Sequence, residues 1–224
     1  MITMVIPACN EEKSIAGTIK DLRRIKDARV IVVCNGCTDS TPEIARSMGV
    51  TVMELREKDK CTAVLKGMAA AKSEMVGFMD ADGAFNSQSV RKLLKLMNGN
   101  DAVIASKWLG RDFSSVKGSF SRKLFSRVWN SMSKSLLGLD FSDTQAGLKI
   151  VRKDVLDKVD KRFTCRGFAF DVELLYKIQK AGGKVKEIYM PVHSTDKKSS
   201  FNTGRTPGMF SGLVKFWLHE KLGV

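Results

Sequence analysis

The sequence predicts an α/β protein with a mostly parallel central sheet and helices on both faces. Three observations carry this. Short β-branched runs such as "ITMVIPA" and "ARVIVVCN" recur through the first hundred residues. Between them lie segments whose apolar residues fall at helical spacing. The two kinds of segment alternate at intervals that fit βαβ units, whose crossover helix keeps neighbouring strands parallel.

In chain order, residues 2–8 read as a buried strand. In "NEEKSIAGTIKDLRRI", Ile15, Ile19, Leu22 and Ile25 share one helical face. Residues 28–35 form the second strand, and "DSTPEIARSMG" opens a helix with Ser and Thr ahead of Pro. Strands at 50–55 and within 74–83, helices at 61–72 and 87–98, and a strand at 101–106 continue the rhythm. After residue 107 it loosens into a Gly/Ser/Lys-rich connector, the helix "LFSRVWNSMSKSLLG", then "DTQAGLKIVRKDVL", "GFAFDVELLYKIQKAGG" and the strand "KVKEIYMPV". One domain over 1–207 and an amphipathic helix over 208–224 account for the whole. In that helix Phe210, Leu213, Val214 and Trp217 share a face suited either to packing on the domain or to a membrane interface. The basic stretch 194–208 suits a loop closing over a ligand through Lys197, Lys198 or Arg205.

Charge is uneven. Of the formal +14, residues 1–100 contribute 15 basic against 12 acidic groups, and residues 101–224 contribute 23 against 12. The second half therefore suits an anionic partner: nucleic acid, acidic lipid or a phosphorylated substrate. A nucleic-acid module is disfavoured, because the basic loops lack a recognised motif and are poor in aromatics. No run approaches the length of a membrane span, and "MITMVIPACN" has no signal-peptide character. Five scattered cysteines fit reduced thiols in the cytoplasm. Cys34 and Cys37 form a CxxC without the further ligands of a zinc site.

The chemistry concentrates at strand ends. In "GFMDADGAF", Asp80 and Asp82 lie two apart on an extended chain and project to one side. Two hard oxygen ligands suit Mg²⁺ or Mn²⁺, and a dication relieves their repulsion. An Asx turn with Gly83 at the positive-φ position is the structural alternative. "PACNEE" and "CNGCTD" end the first two strands, where Asn10, Asn35 and Asp39 suit hydrogen bonds to a base or ribose.

Taken together, "VIPACNEEKSI", "VVCNGCTDST", "DADGA", "DTQAGLK" and "FAFDVELLYKIQKAGGKVKEI" resemble glycosyltransferase family 2, with the GT-A fold. Within it they resemble polyprenyl-phosphate sugar transferases, nearer to dolichyl-phosphate glucosyltransferases than to the mannosyl enzymes. The resemblance spans about residues 2–192. It implies that Pro7, Cys9, Glu11, Val33, Asn35 and Lys60 line the nucleotide-sugar pocket, with Asp80, Ala81 and Asp82. Asp80 and Asp82 would hold the metal, while Arg122 and Lys149 would grip an acceptor phosphate. Cys9 stands where relatives often have an aromatic, only Lys60 survives of a Gly-Lys-Gly, and Ala84 replaces a glutamine that helps hold metal in mannosyl relatives.

The expected reaction is inverting transfer of a hexose from a UDP- or GDP-sugar to a polyprenyl phosphate, by a peripheral protein at the cytoplasmic membrane face. An ionised phosphate needs no strong base. The alternative acceptor is a sugar hydroxyl, with Asp171 as base, although Asp171 reads equally well as a helix cap.

Overall fold

The computed structural model describes residues 1–193 and 206–222. The first half runs β1 (Ile2–Ala8), α1 (Ile15–Leu22), β2 (Ala28–Asn35), α2 (Thr41–Ser47), β3 (Thr51–Leu55), α3 (Lys60–Ala70), β4 (Met75–Met79), α4 (Ser87–Lys95) and β5 (Ala102–Ser106). The second runs α5 (Phe120–Leu137), β6 (Leu148–Arg152), α6 (Lys153–Lys158), α7 (Phe170–Lys180), β7 (Val185–Tyr189) and α8 (Thr206–Leu222). A 3-10 turn, Gly167–Ala169, leads into α7.

All the strands among the described residues join one seven-stranded sheet in the order β3-β2-β1-β4-β6-β5-β7. Pairings β1–β2, β1–β4, β2–β3 and β5–β7 are parallel. β6 alone is reversed, antiparallel to both β4 and β5. The expected α/β architecture is borne out, with one inverted strand that periodicity did not announce.

Both faces of the central strands are covered, which is why they read as continuous apolar runs. Val5, Val33, Phe78 and Ile104 point into one layer with Val64 and Met68 of α3, Leu174 and Ile178 of α7, and Leu213 and Phe216 of α8. Their neighbours Met4, Ile6, Val32 and Val103 point into the other, with Ile15, Ile19 and Leu22 of α1 and Val90 and Leu93 of α4. On α8 the expected single face divides. Leu213 and Phe216 are buried and Phe210 stacks edge-on against Phe125 of α5, whereas Val214 is exposed. Residues 194–205, which include Lys197, Lys198 and Arg205, lie outside the described residues.

The strand order turns back at β1, with β2 and β3 on one side and β4 on the other. Open sheets of this kind bind ligands beyond the carboxyl ends of the strands at such a switch point. Three loops meet there: 9–14 after β1, 36–40 after β2 and 80–86 after β4.

Candidate active site

Short polar side chains stitch the first two loops together. Asn10 takes a left-handed φ of 57°. Its Oδ1 accepts from the Thr38 N–H (2.8 Å) and its Nδ2 donates to Thr38 Oγ1 (3.1 Å). Asp39 accepts from Thr41 Oγ1 at 2.6 Å and from the Glu12 N–H at 3.1 Å. Burial works to raise the Asp39 carboxyl, but these bonds outweigh it and hold the group below its ordinary range. Asn10 and Asp39, expected to face a base or ribose, are thus built into the rim itself.

The other nucleotide candidates line up along the same edge at different depths. Pro7, Cys9 and Glu11 are half-buried. Glu11 accepts from Ser14 Oγ at 2.5 Å. Asn35 ends β2, only 5% exposed, and its buried Oδ1 has no hydrogen-bond partner among the described residues. A buried acceptor of this kind favours a ligand or water that brings a donor. Val33 is fully buried in the core layer with Val5 and Val64, so it presents no surface to a nucleotide here.

The paired carboxylates sit beyond β4. The Asp80 N–H donates to the Gly147 carbonyl (2.9 Å), and its side chain lies close against Gly147. A Cβ on Gly147 would come within 2.2 Å of Asp80 Oδ2, so only glycine leaves room. Ala81 is buried, and its carbonyl accepts from Thr18 Oγ1 of α1 at 3.1 Å. Asp82 Oδ1 accepts from the Ala84 N–H at 2.9 Å, closing an Asx turn in which Gly83 supplies φ 77°. Turn and carboxylate pair therefore coexist. Burial first, and then the Asp80 charge, push the Asp82 carboxyl above its ordinary range. Two hard oxygen donors in mutual repulsion fit a divalent cation whose remaining ligands are water and phosphate. Among the described residues no group of three or more metal-ligating side chains is present.

Two lysines bracket Phe78 of β4 beneath this turn. Lys60 Nζ, at the start of α3, lies 2.8 Å from Asp80 Oδ1 and 5.6 Å from the Phe78 ring centroid. Burial works against its charge, but Asp80, Asp171 and Asp82 outweigh burial and hold the ammonium more firmly protonated than usual. Lys149 Nζ lies 5.1 Å from the same ring and 2.6 Å from Asp171 Oδ1, with both side chains 0% exposed. It also donates to the Ala146 carbonyl at 2.7 Å. Lys149 therefore offers no cation to a phosphate outside the core, and Asp171 is enclosed rather than capping at the surface. Arg122, in the first turn of α5, is exposed, whereas Lys149 is enclosed.

Three supporting residues escaped the sequence reading. Gly147 and Thr18 each hold the paired-aspartate turn through one hydrogen bond. Asp59 caps α3 through the Thr62 N–H (3.1 Å) and also accepts from the Gly167 N–H (2.9 Å), tying Lys60's helix to the entry of α7. The Asp-x-x-Thr spacing signalled the cap; its reach across more than a hundred residues had no local signal.

A switch-point sheet with a paired-aspartate turn at its edge fits the GT-A architecture that the sequence resemblance implies. The model of "Glycosyl transferase family 2" matches residues 3–160, and the chain belongs to that family. It is similar to a dolichyl-phosphate hexose transferase of Haloferax volcanii, 27% identical over 99% of this chain and 96% of the relative. It is also similar to an undecaprenyl-phosphate mannosyltransferase of Micrococcus luteus, 26% identical over 84% of this chain and 81% of the relative. Among solved structures, glucosyl-3-phosphoglycerate synthase of Mycobacterium tuberculosis, crystallised with Mn²⁺, UDP and phosphoglyceric acid, superposes with a TM-score of 0.77. That likeness covers 97% of this chain and 78% of the neighbour at 20% identity, and speaks for the fold.

Proposed function

We propose that this glycosyltransferase moves a hexose from a UDP- or GDP-sugar to a polyprenyl phosphate, working peripherally at the cytoplasmic membrane face. The names of its relatives support the lipid-phosphate acceptor. No helix among the described residues is long and apolar enough to cross a membrane.

The observation that carries the acceptor class is the enclosure of Asp171. A hydroxyl acceptor needs a base within reach of its proton. Asp171 is 0% exposed, with Oδ1 bonded to Lys149 and a buried Oδ2 that has no hydrogen-bond partner among the described residues, so no path leads from it to a hydroxyl at the surface. A phosphate oxygen is already ionised and needs no such base. It attacks the anomeric carbon as the bond to the diphosphate breaks, the electron pair leaves with the nucleoside diphosphate, and no proton moves.

Asp80 and Asp82 would hold Mg²⁺ or Mn²⁺, which when bound supplies neutralisation of the departing diphosphate. Lys60, 2.8 Å from Asp80 Oδ1, orients that carboxylate. Asn35, with Pro7, Cys9 and Glu11 along the rim, faces the nucleoside. We assign the exposed Arg122 to the acceptor phosphate, which a guanidinium can grip bidentately. Lys149 acts through Asp171, as a structural counterion.

The test pairs labelled UDP- and GDP-hexoses with polyprenyl phosphate, with Mn²⁺ or with chelator. Metal-dependent label in the organic phase, released by mild acid, is expected. Label transferred only to water-soluble sugar would contradict the assignment.

A further inference from the structure

Eight large apolar side chains are conspicuously exposed among the described residues, and six of them lie on α5 and α8. On α5 they are Phe120 (69% exposed), Leu124 (47%) and Val128 (43%). On α8 they are Val214, Leu218 and Leu222. Spacing of four places each trio in one line along its helix. The helices pack together through Phe125, Trp129 and Phe210, with ring centroids 5.5 and 5.6 Å from Phe210.

Charge separates the two lines. Residues 107–137 hold seven Lys or Arg and a single Asp, whereas 206–222 hold Lys215 and Lys221 against Glu220. Glu220 is itself engaged by Lys180 at 2.5 Å. The α5 line is also braced. Phe120 meets Phe113 edge-on at 5.3 Å, Phe113 lies 6.2 Å from Trp108, and Arg127 covers the Trp108 ring at 4.5 Å. An exposed ring held on an aromatic platform is a formed surface feature. The connector 107–119 leaves β5 at the end that shares an edge with Met79 of β4, since β6 lies antiparallel between those strands. The first turn of α5, with Phe120 and Arg122, therefore starts from the active-site edge.

We infer that the α5 ridge, rather than the C-terminal helix, docks this enzyme onto an anionic lipid bilayer. Phe120, Leu124 and Val128 enter the interface shallowly while the surrounding cations meet lipid phosphates. A second copy of the chain is a poor occupant, because it would bring the same excess of positive charge against itself. The inference rests on the polyprenyl-phosphate assignment, which puts the acceptor in that bilayer, and it specifies the face that reaches it.

The test is vesicle co-sedimentation of the full chain, using phosphatidylcholine alone or mixed with phosphatidylglycerol. The wild type should partition onto the anionic vesicles and stay off the neutral ones. Phe120→Ser/Leu124→Ser/Val128→Ser should bind about tenfold more weakly, while Val214→Ser/Leu218→Ser stays within about twofold of wild type. Should the triple variant fail to fold by circular dichroism, Leu124→Ser alone should still weaken binding about threefold. Wild-type binding by the α5 variants, or loss of binding by the α8 variant instead, overturns the inference. Transfer to a short, water-soluble prenyl phosphate separates the two ideas: the α5 variants should keep the wild-type rate there. A wild-type protein that docks through α5 yet glycosylates no prenyl phosphate would uphold the ridge and remove the acceptor assignment.

Discussion

The two halves of the molecule use charge in opposite ways. Up to β5, charged and polar side chains are paired within and across neighbouring loops and build a rim: Asp39 to Thr41 and Glu12, Glu11 to Ser14, Lys60 to Asp80. Beyond β5, charge is either sunk into the core or left on the surface. Lys149–Asp171 and Lys177–Glu173 are buried pairs, while Arg122 and its neighbours make a basic face. The difference matches two ligands. A nucleoside diphosphate sugar needs many short, oriented contacts in a preformed rim. A lipid phosphate needs attraction towards a surface, with few contacts once there.

The largest way to break this comparison is to unpair the core of the second half. Lys149→Met leaves the Asp171 carboxylate buried without its partner and should cost about 3–5 kcal/mol. Lys149→Met/Asp171→Leu should recover most of that loss in a denaturant titration and keep metal-dependent donor binding. A double variant as unstable as the single, or one that has lost donor binding, would mean that the pair serves the donor rim as well.

Next in size is Gly147→Ala, which joins the halves because Gly147 comes from the second and cradles Asp80 of the first. The added Cβ would displace Asp80, so Mn²⁺-dependent donor affinity should fall roughly 10–100-fold by calorimetry. Unchanged affinity would show that Asp80 can hold its ligand from another position.

Asp59→Ala removes the α3 cap and the link to Gly167, and should cost about 1 kcal/mol in chemical denaturation. The Asp59 carboxyl is held below its ordinary range: burial raises it, but bonds from Thr62, Gly167 and Arg166 outweigh burial. Its stabilisation is therefore present above the unfolded value and is lost as pH falls through the folded one. The gap between wild type and Asp59→Ala should close in acid.

The smallest effect has the opposite sign. Asp82 is held above its ordinary range, so its contribution is favourable only at low pH and is lost as pH rises through the folded value. Asp82→Asn should raise the melting temperature of the ligand-free protein at neutral pH, with the difference vanishing in acid, while abolishing turnover. A lowered melting temperature at neutral pH would mean that the repulsion with Asp80 is already compensated within the rim.

The first half was legible because its strands run in parallel. Each strand end falls on the same edge, so the order "PACNEE", "CNGCTD", "DADG" along the chain is also their adjacency in space. Gly83 and the turn around Asp82 were equally readable, since an Asx turn is set by local chemistry. The second half was less so, because β6 is inserted in reverse between β4 and β5. That register sets Lys149 opposite Phe78 and brings Gly147 against Asp80. Nothing in "QAGLK" signals an inward-facing lysine, since lysine is seldom fully buried without a partner and its partner lies 22 residues on. On α8 the expected stripe was only partly right: Leu213 is buried, but Val214 is exposed and the second buried residue is Phe216, because which side faces the core depended on α5.

The most direct measurement is calorimetric titration of UDP- and GDP-hexoses into the wild-type protein and Asp80→Asn, each with Mn²⁺ and with chelator. The account predicts that one donor binds the wild type in a manganese-dependent way and that chelator or Asp80→Asn removes that binding. Donor binding that is indifferent both to manganese and to Asp80 would contradict it.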